Sequence, residues 1–370
     1  MIIMNYLQIL KPRILVLLVI VCAGISKAAA QTEINVTSTA VPFLRISPDT
    51  RAGGMANLGL ATAADAGGVF YNRAKLPFAA ADAGVAFSYS PWLRDLTSGI
   101  YLLSGSFYKN LADDQTLSAG IRYFNMGDLP MADYSGNKLP SAQPSEMAVD
   151  LGYSRKLSST IGIAVALRYI HSKLVSGSMD GVNYKAGNAV ASDLSLYYTR
   201  VDSTKGGWSA GIALSNLGSK ISYTSDDAQK AFLPANLGIG IAYTGVVDED
   251  NQITVGIDYN HLLVPNIPAD ALAATEYYNK SVTEGWFSSF DNKQNTVSLG
   301  AEYVYRRRFS VRAGYLIVPK AAGDNGGFTT GLGIKLSLFD VHFAYQAAAG
   351  NGVTRNPLSN TVRFGLNFNW

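Results

Sequence analysis

The first stretch with the residue types for chemistry is a glycine-rich run near the N-terminus, "SPDTRAGGMANLGLA", from Ser47 to Ala61. Asp49 and Arg51 stand beside its glycines, and backbone amides clustered next to a cation are typical of loops that hold a phosphate. A phosphate loop, however, lies between a strand and a helix and carries a Lys-Ser/Thr pair or a dinucleotide-type glycine spacing. The run has neither pattern, so its sequence does not favour a nucleotide site.

Residues for catalysis or metal binding are scattered rather than grouped. His171, His261 and His342 are far apart in the sequence and lack the helical spacing of paired metal ligands. The chain also has no G-x-S-x-G elbow that would present a nucleophilic serine. We therefore predict no enzymatic activity, no metal site and no cofactor.

The first thirty residues have the order of a secretory signal. Lys11 and Arg13 precede the apolar run "ILVLLVIVCAGI", and three alanines end at Ala30. The alternative is a membrane anchor, but this apolar run is short for a span. We predict a signal peptide over residues 1–30, cleaved before Gln31, and its removal would take away Cys22, the single cysteine. Three of the 30 Lys and Arg residues lie in this segment and none of the 27 Asp and Glu residues does, so the mature chain is balanced. Its charge gives no reason to expect nucleic-acid binding.

The composition and the alternation of polarity favour a membrane β-barrel. Charged residues make up only 15% of the chain, against about 25% in typical soluble domains, while Gly (36) and Tyr (21) are abundant. In "QTLSAGIRYF", Leu117 and Ile121 alternate with Ser118 and Arg122, the period of a strand with one apolar face. Such segments predict fourteen antiparallel strands near 82–90, 98–108, 115–124, 147–156, 160–172, 190–202, 208–216, 236–244, 251–263, 296–306, 309–318, 328–338, 340–347 and 361–370.

Loop length distinguishes a membrane barrel from a soluble sandwich. Connections after even-numbered predicted strands are short, whereas those after odd-numbered strands are mostly long, for example 125–146, 172–189, 217–235 and 264–295. Short turns on one side and long loops on the other are typical of outer-membrane barrels. We therefore predict an all-β fold, a transmembrane barrel over residues 82–370. Its first strand begins and its last strand ends on the short-turn side.

Residues 31–81 do not alternate and are too glycine-rich to form their own core, so they must pack on something. A barrel of fourteen strands encloses a wide lumen, and a plug folded into it would satisfy both requirements. We call this segment the hatch. The charges predicted to face it have mixed sign, which suits a hydrated lumen of paired groups better than a selective pore; they are Arg122, Asp150, Arg168, Asp258, Glu302 and Arg363.

Several stretches resemble one family. They are "PFLRISPDTRAGGMANLGLAT", "YNRAKL", "FSYSPWLRDL", "IRYFNMGDLP" and "LSNLGSKISY". Together they resemble the PorV family, the outer-membrane component of the type IX secretion system of Bacteroidetes, which belongs to the FadL-like barrels. The resemblance runs from about residue 41 to the C-terminus. FadL-like barrels carry an N-P-A turn near the base of the hatch, whereas "YNRAKL" has Arg73 at the proline position, a departure that weakens the inference of fatty-acid transport from the resemblance.

The resemblance implies a carrier without enzymatic activity in the outer membrane. It would receive cargo proteins from the SprA translocon through their C-terminal signal domains and deliver them to the PorU-containing attachment complex, embedded throughout in outer-membrane lipid. It also implies that the N-terminal segment lies in the lumen as a hatch. The hatch residues singled out by the matching stretches are Pro48, Asp49, Arg51, Gly53, Gly54, Met55, Asn72 and Arg73, with Asp49 and Arg51 expected to pair with charges of the lumen.

Partner binding would fall to the long loops, because these face outward. The aromatic density of "YYNKSVTEGWFSSF" favours a protein-binding face, although an outer aromatic girdle or a cap on the barrel explains it equally well. "SPWLRDL" is the second candidate, or else a lipid anchor. The candidate residues are Trp92, Leu93, Arg94, Tyr277, Tyr278, Trp286, Phe287 and Phe290. Two other functions remain open, a FadL-like transporter of a hydrophobic small molecule and a structural subunit that closes the side of a translocon.

Overall fold

Fourteen antiparallel strands close into a barrel in the computed structural model, which describes residues 39–92, 99–132, 138–175, 177–179, 182–225, 230–268, 271–292, 294–318, 326–347 and 360–370. The ring closes where the first strand pairs with the last, with Gly84 opposite Asn369. The barrel strands are β1 (Ala83–Pro91), β2 (Ile100–Ala112), β3 (Gln115–Met126), β4 (Ser145–Lys156), β5 (Ile161–Lys173), β6 (Gly187–Asp202), β7 (Gly206–Gly218), β8 (Asn236–Val246), β9 (Asn251–Leu262), β10 (Asn295–Tyr305), β11 (Phe309–Ile317), β12 (Gly327–Lys335), β13 (Phe339–Gln346) and β14 (Thr361–Asn369). Each overlaps one predicted strand, so the predicted barrel is confirmed.

The connections separate by length as predicted. None of the turns after an even-numbered strand exceeds four residues, and the loops after odd-numbered strands run from eight residues at 92–99 to more than thirty at 263–294. The start of β1 and the end of β14 therefore both lie at the short-turn end of the barrel. All long loops emerge at the opposite end and are free to approach one another there.

The long loops hold regular structure that the alternation did not predict. Two-stranded hairpins pair Leu129–Ala132 with Lys138–Ala142, Gly177–Met179 with Val182–Tyr184, and Ile221–Ser222 with Lys230–Ala231. The short helix α1 (Thr50–Gly53) lies in the hatch, together with 3-10 turns at Pro42–Arg45, Ala66–Phe70 and Arg73–Phe78. The loop 263–294 contains α2 (Ala271–Asn279), α3 (Val282–Phe287) and a 3-10 turn at Ser288–Asp291. Of the helices in the described part of the chain, none is long and apolar enough to span a membrane.

The outer wall is an apolar belt between two aromatic rings. Outward residues in the middle of the strands are large and exposed, such as Leu151, Leu167 and Leu332. Aromatic residues crowd both margins and contact each other across strands, with ring centroids 4.9 Å apart for Trp208 and Tyr243. The ring at the long-loop end includes Tyr89, Tyr101, Tyr123, Tyr169, Tyr259, Tyr315, Phe328 and Tyr345, and that at the short-turn end includes Tyr198, Trp208, Tyr243, Tyr303, Phe309, Phe339, Phe368 and Trp370. This is the surface a bilayer requires, an apolar band flanked by aromatic girdles.

Candidate functional site

The hatch, described from residue 39 to residue 81, runs through the lumen from one end to the other. It begins at the long-loop end, where the Ala40 amide donates to the Phe232 carbonyl at 3.0 Å. It reaches β1 at the short-turn end, and along the way its residues contact all fourteen strands. Only a segment enclosed by the barrel can do this. The chain thus crosses the lumen before its first strand begins.

In the part of the run that carries its glycines, Ala52 to Leu60, every backbone amide already has a hydrogen-bond acceptor. The Asp49 carboxylate caps α1 by accepting the Ala52 amide at 2.7 Å, and the next amides of the run bond within it. The Ala56 amide donates to Thr329 in β12, and the Gly59 and Leu60 amides both donate to the Asp258 carboxylate in β9, at 2.8 and 2.9 Å. All amides from Ala52 to Leu60 are therefore used to fold the run and to fix it to the wall.

Arg51 makes the ion pair that was expected with the lumen, and Asp49 does not. The Arg51 guanidinium contacts Glu302 of β10 through two nitrogens, at 3.0 and 2.6 Å, and Asp65 of the hatch at 2.6 Å. Glu302 also accepts from Arg312 of β11 at 2.7 Å. The expected pairing of Asp49 is corrected: among the described residues its carboxylate has no ion pair and serves as a helix cap instead.

A second ion cluster holds the end of the hatch. Arg73 lies 3.3 Å from Asp193 of β6 and 3.6 Å from Asp150 of β4, and Arg168 of β5 contacts both carboxylates. Asn72 caps the following turn and donates to the carbonyls of Leu60 and Leu196, each at 3.0 Å. Two strongly bonded positions, Arg51 and Arg73, thus connect the hatch to opposite parts of the barrel wall.

The remaining hatch residues are enclosed. The Pro48 carbonyl accepts from Ser104 of β2, and Met55 is buried against the wall. Burial raises the pKa of the Asp49 carboxyl, with the nearby Asp65 carboxylate acting in the same direction. Burial also lowers the pKa of the Lys75 ammonium, whose Nζ donates to the Gly59 carbonyl at 2.8 Å. Burial in the lumen thus shifts the pKa values of Asp49 and Lys75, and the hydrogen bonds of both side chains connect parts of the hatch to one another. In the described residues no three His, Cys, Asp or Glu side chains are grouped to hold a metal ion.

Wall glycines allow the hatch backbone to lie directly on the strands. A Cβ at Gly211 of β7 would come within 2.2 Å of the Leu60 carbonyl oxygen, and one at Gly314 of β11 within 2.5 Å of the Met55 carbonyl carbon. Gly54 of the hatch meets Gly331 of β12 in the same way, with a Cβ at Gly54 3.0 Å from the Gly331 Cα. Gly53, which precedes Gly54 in the hatch, leaves room for the Arg363 side chain of β14. The fit therefore depends on glycines of both the hatch and the wall.

This fit predicts the effect of a single added side chain. Gly211→Val should push the Leu60 carbonyl away from the wall and from Asn72, destabilising the protein by about 1–3 kcal/mol through overpacking. Ala210→Val, one residue earlier and facing the outside of the barrel, is the matched control and should change little. Equilibrium urea unfolding in lipid vesicles measures both. Equal stabilities for the two variants would contradict the close approach of hatch and wall.

A cavity of about 690 Å³ lies between the hatch and the long loops. One side is apolar and the other carries amides, hydroxyls and a carboxylate. The apolar side includes Phe43, Leu44, Ile46, Trp92 and Phe124; the polar side includes Asn216, Asn236, Asp258, Asn260 and Ser298. Its volume is that of a small-molecule site.

The loop residues expected to bind partners occupy different environments. Trp92 packs edge-on against Phe124 at 5.3 Å and lines the cavity, and Leu93 and Arg94 lie outside the described residues. Tyr277 is corrected from an exposed to a buried position, since it packs on Phe232 at 5.4 Å in the core of the loops. Tyr278 and Trp286 are partly exposed. Phe287 and Phe290 are the exposed members of the set, at 79% and 62%.

A comparison with protein families adds a decisive observation. Residues 28–269 match the model of "Type IX secretion system protein PorV". The chain belongs to the PorV family. No curated protein sequence matches it.

Solved structures similar to this PorV-family chain share its fold. The monoaromatic hydrocarbon channel CymD covers 90% of this chain and 99% of its own, at 12% identity and a TM-score of 0.54. The Pseudomonas putida toluene transporter TodX covers 88% and 98%, at 12% identity and a TM-score of 0.50. A Pseudomonas aeruginosa FadL homologue covers 87% and 98%, at 9% identity and a TM-score of 0.46. At these identities the likeness to CymD and TodX shows a shared barrel fold alone and nothing of the ligand.

Arg73 gives the departure from the FadL-like turn a physical role in this PorV-family chain. A proline at this position would have no side-chain donor for Asp150 and Asp193, and it would leave those carboxylates to Arg168 and Arg122. The arginine adds a cation from the hatch, so the hatch and the wall share one ion cluster. A hatch bonded in this way is built to stay in the lumen.

Proposed function

We propose that this protein is an outer-membrane carrier of the type IX secretion system without enzymatic activity. It is exported with a cleaved signal peptide, receives cargo with C-terminal signal domains at the SprA translocon and hands it to the PorU-containing attachment complex. The match to the PorV family over residues 28–269 is the observation that carries the proposal.

The hatch supports a carrier rather than a conduit. It is bonded to the wall by two buried ion clusters and by backbone contacts, so passage of a folded protein through the lumen would break many of them. Cargo is then held at the long-loop end, the end of the barrel that presents protein surface beyond the membrane. The partly exposed Tyr278 and Trp286 are the proposed contact region there.

Deletion of the protein tests this function. Cells without it should accumulate proteins that bear type IX C-terminal signals in the periplasm, because the step from translocon to attachment complex is missing. Fractionation followed by immunoblotting of one such cargo measures the effect. Pull-down of the protein from wild-type membranes should recover cargo with its signal domain intact. Recovery of the translocon without cargo, when attachment is blocked, would contradict the carrier.

The cavity favours a second candidate function, transport of an amphipathic small molecule past the hatch. Its apolar side offers a surface for hydrocarbon, and its polar side offers the side-chain amides of Asn236 and Asn260 to a polar group. The deletion experiment separates the two candidates. Normal secretion of cargo together with lost uptake of a lipid-like compound would favour the transporter.

A further inference from the structure

The loop 263–294 places two large aromatic side chains in an unusual position. Phe287 at the end of α3 and Phe290 in the following turn are among the most exposed apolar residues of the described chain, at 79% and 62%. Exposed aromatic groups of this size mark contact with another apolar phase or partner. The position of Phe287 and Phe290 relative to the barrel wall distinguishes membrane lipid from a protein partner.

Phe290 lies over the outer face of the barrel. Asp258, Asn260 and Leu262 line the internal cavity, so by alternation Tyr259 and His261 point outward. His261 is nevertheless only 4% exposed, and among its neighbours the Phe290 ring stacks on it with centroids 5.2 Å apart and planes 13° apart. The turn Ser288–Asp291 therefore folds across the rim and down onto the outer wall.

The position of this turn is fixed on both sides. The side-chain amide of Asn292 donates through Nδ2 to the carbonyls of Leu262 and Val264, at 2.6 and 2.7 Å. These two bonds connect the turn to the end of β9. On the other side of α3, Gly285 fits so closely against Phe232 that a Cβ would come within 2.5 Å of its ring. The segment from α3 to the following turn thus straddles the rim, with Gly285 of the helix toward the loop core and Phe290 of the turn outside.

The height of Phe290 is that of the membrane–water interface. Tyr259 belongs to the aromatic ring at the long-loop end. It precedes His261 by two residues and lies on the same face of β9. Two residues rise about 7 Å along a strand, and the headgroup region on each side of the hydrocarbon core is about 5–7 Å deep. Phe290, stacked on His261, therefore lies at the level of the headgroups, directly above the apolar belt.

We propose that Phe287 and Phe290 insert into the outer leaflet and anchor the loop 263–294 to lipid. The continuity of Phe290 with the aromatic ring favours lipid over a protein partner. The polar side of the same helix agrees, since Ser281 and Glu284 form a capping box in which the Glu284 carboxylate stays exposed to water. Interfacial segments divide their apolar and polar faces in this manner.

Spin labelling tests the anchor in the full chain reconstituted into lipid vesicles. In a Cys22→Ser background, single cysteines are introduced as Phe290→Cys and Phe287→Cys and labelled with a nitroxide. Two reference positions of known exposure frame the result: Leu299→Cys on the outer wall of β10 and Val182→Cys in the hairpin of another long loop. Electron paramagnetic resonance then compares collisions with oxygen, which concentrates in lipid, with collisions with a water-soluble nickel chelate.

The label at residue 290 decides the proposal. We expect its oxygen-to-nickel collision ratio to exceed that of the Val182 label and to approach that of the Leu299 label, with residue 287 shifted in the same direction. A ratio at residue 290 equal to or below that of the Val182 label would overturn the anchor and return the aromatic pair to a water-exposed, protein-binding role. The proposal does not depend on cargo transport, so either result leaves the carrier function to its own test.

Discussion

Arg51→Ala should lower the free energy of unfolding by about 3 kcal/mol, because removal of one partner leaves buried carboxylates without their counter-charge. The Arg51 guanidinium is 14% exposed and Glu302 is 5% exposed. Arg312 still faces Glu302 in the variant, which keeps the loss at the lower end of the range for a broken buried pair. Asp65, by contrast, loses its ion pair within the described residues.

A matched control is available at the surface. Arg306 forms an ion pair with Asp250 at 3.0 Å, but both side chains are about half exposed. Arg306→Ala should therefore cost less than about 1 kcal/mol, as exposed pairs do. Equilibrium urea unfolding in vesicles measures both variants. Equal losses would show that the Arg51 pair does not hold the hatch.

Release of the hatch has a second readout. If the Arg51 cluster keeps the segment in the lumen, Arg51→Ala should raise ion conductance across a planar bilayer, while Arg306→Ala should conduct as the unaltered protein does. A double variant, Arg51→Ala with Asp65→Asn, removes the carboxylate charge that was left without its ion pair. It should recover part of the stability without closing the lumen, which separates the energetic role of the pair from its role in fixing the hatch.

The sequence was sufficient for the barrel because strand parity is a local property. Residues two apart share a face, so the inward position of Arg122 or Glu302 follows from a short window, and loop lengths supply the sidedness. The position of the hatch inside the lumen is another matter. It depends on contacts such as Arg51 with Glu302, about 250 residues apart, and no local pattern specifies that pairing.

Some structural features that we did not predict have a recognisable pattern in the sequence. The Ser281-to-Glu284 spacing is that of a capping box and marks the start of α3, and Asp49 before Thr50 has the residue type of a helix N-cap. The inward glycine Gly211 could be placed on the polar face of its strand by alternation. Its contact with the Leu60 carbonyl could not, since that requires the path of the hatch. The burial of Tyr277 is likewise set by a second loop, through Phe232.

Two leucines with similar exposed fractions in the isolated chain are expected to lie in different environments in the membrane, one in hydrocarbon and one in water. Leu151 lies in the middle of β4 and is 66% exposed, whereas Leu157 lies in the short turn after β4 and is 59% exposed. In water an arginine would be tolerated at both. In a bilayer Leu151 faces hydrocarbon, and an arginine on that face of a barrel costs about 2–4 kcal/mol near the midplane and close to zero at the margins.

Leu151→Arg should therefore destabilise the reconstituted protein by about 2–4 kcal/mol, and Leu157→Arg should leave it nearly unchanged. Urea unfolding from vesicles gives both values, and the same pair in detergent micelles should differ less, because a micelle adapts its shape around a charge. The comparison uses one residue type, one substitution and similar exposure, so only depth in the membrane distinguishes the variants. Similar losses at the two positions in vesicles would mean that β4 does not cross the bilayer in the orientation that its apolar face requires.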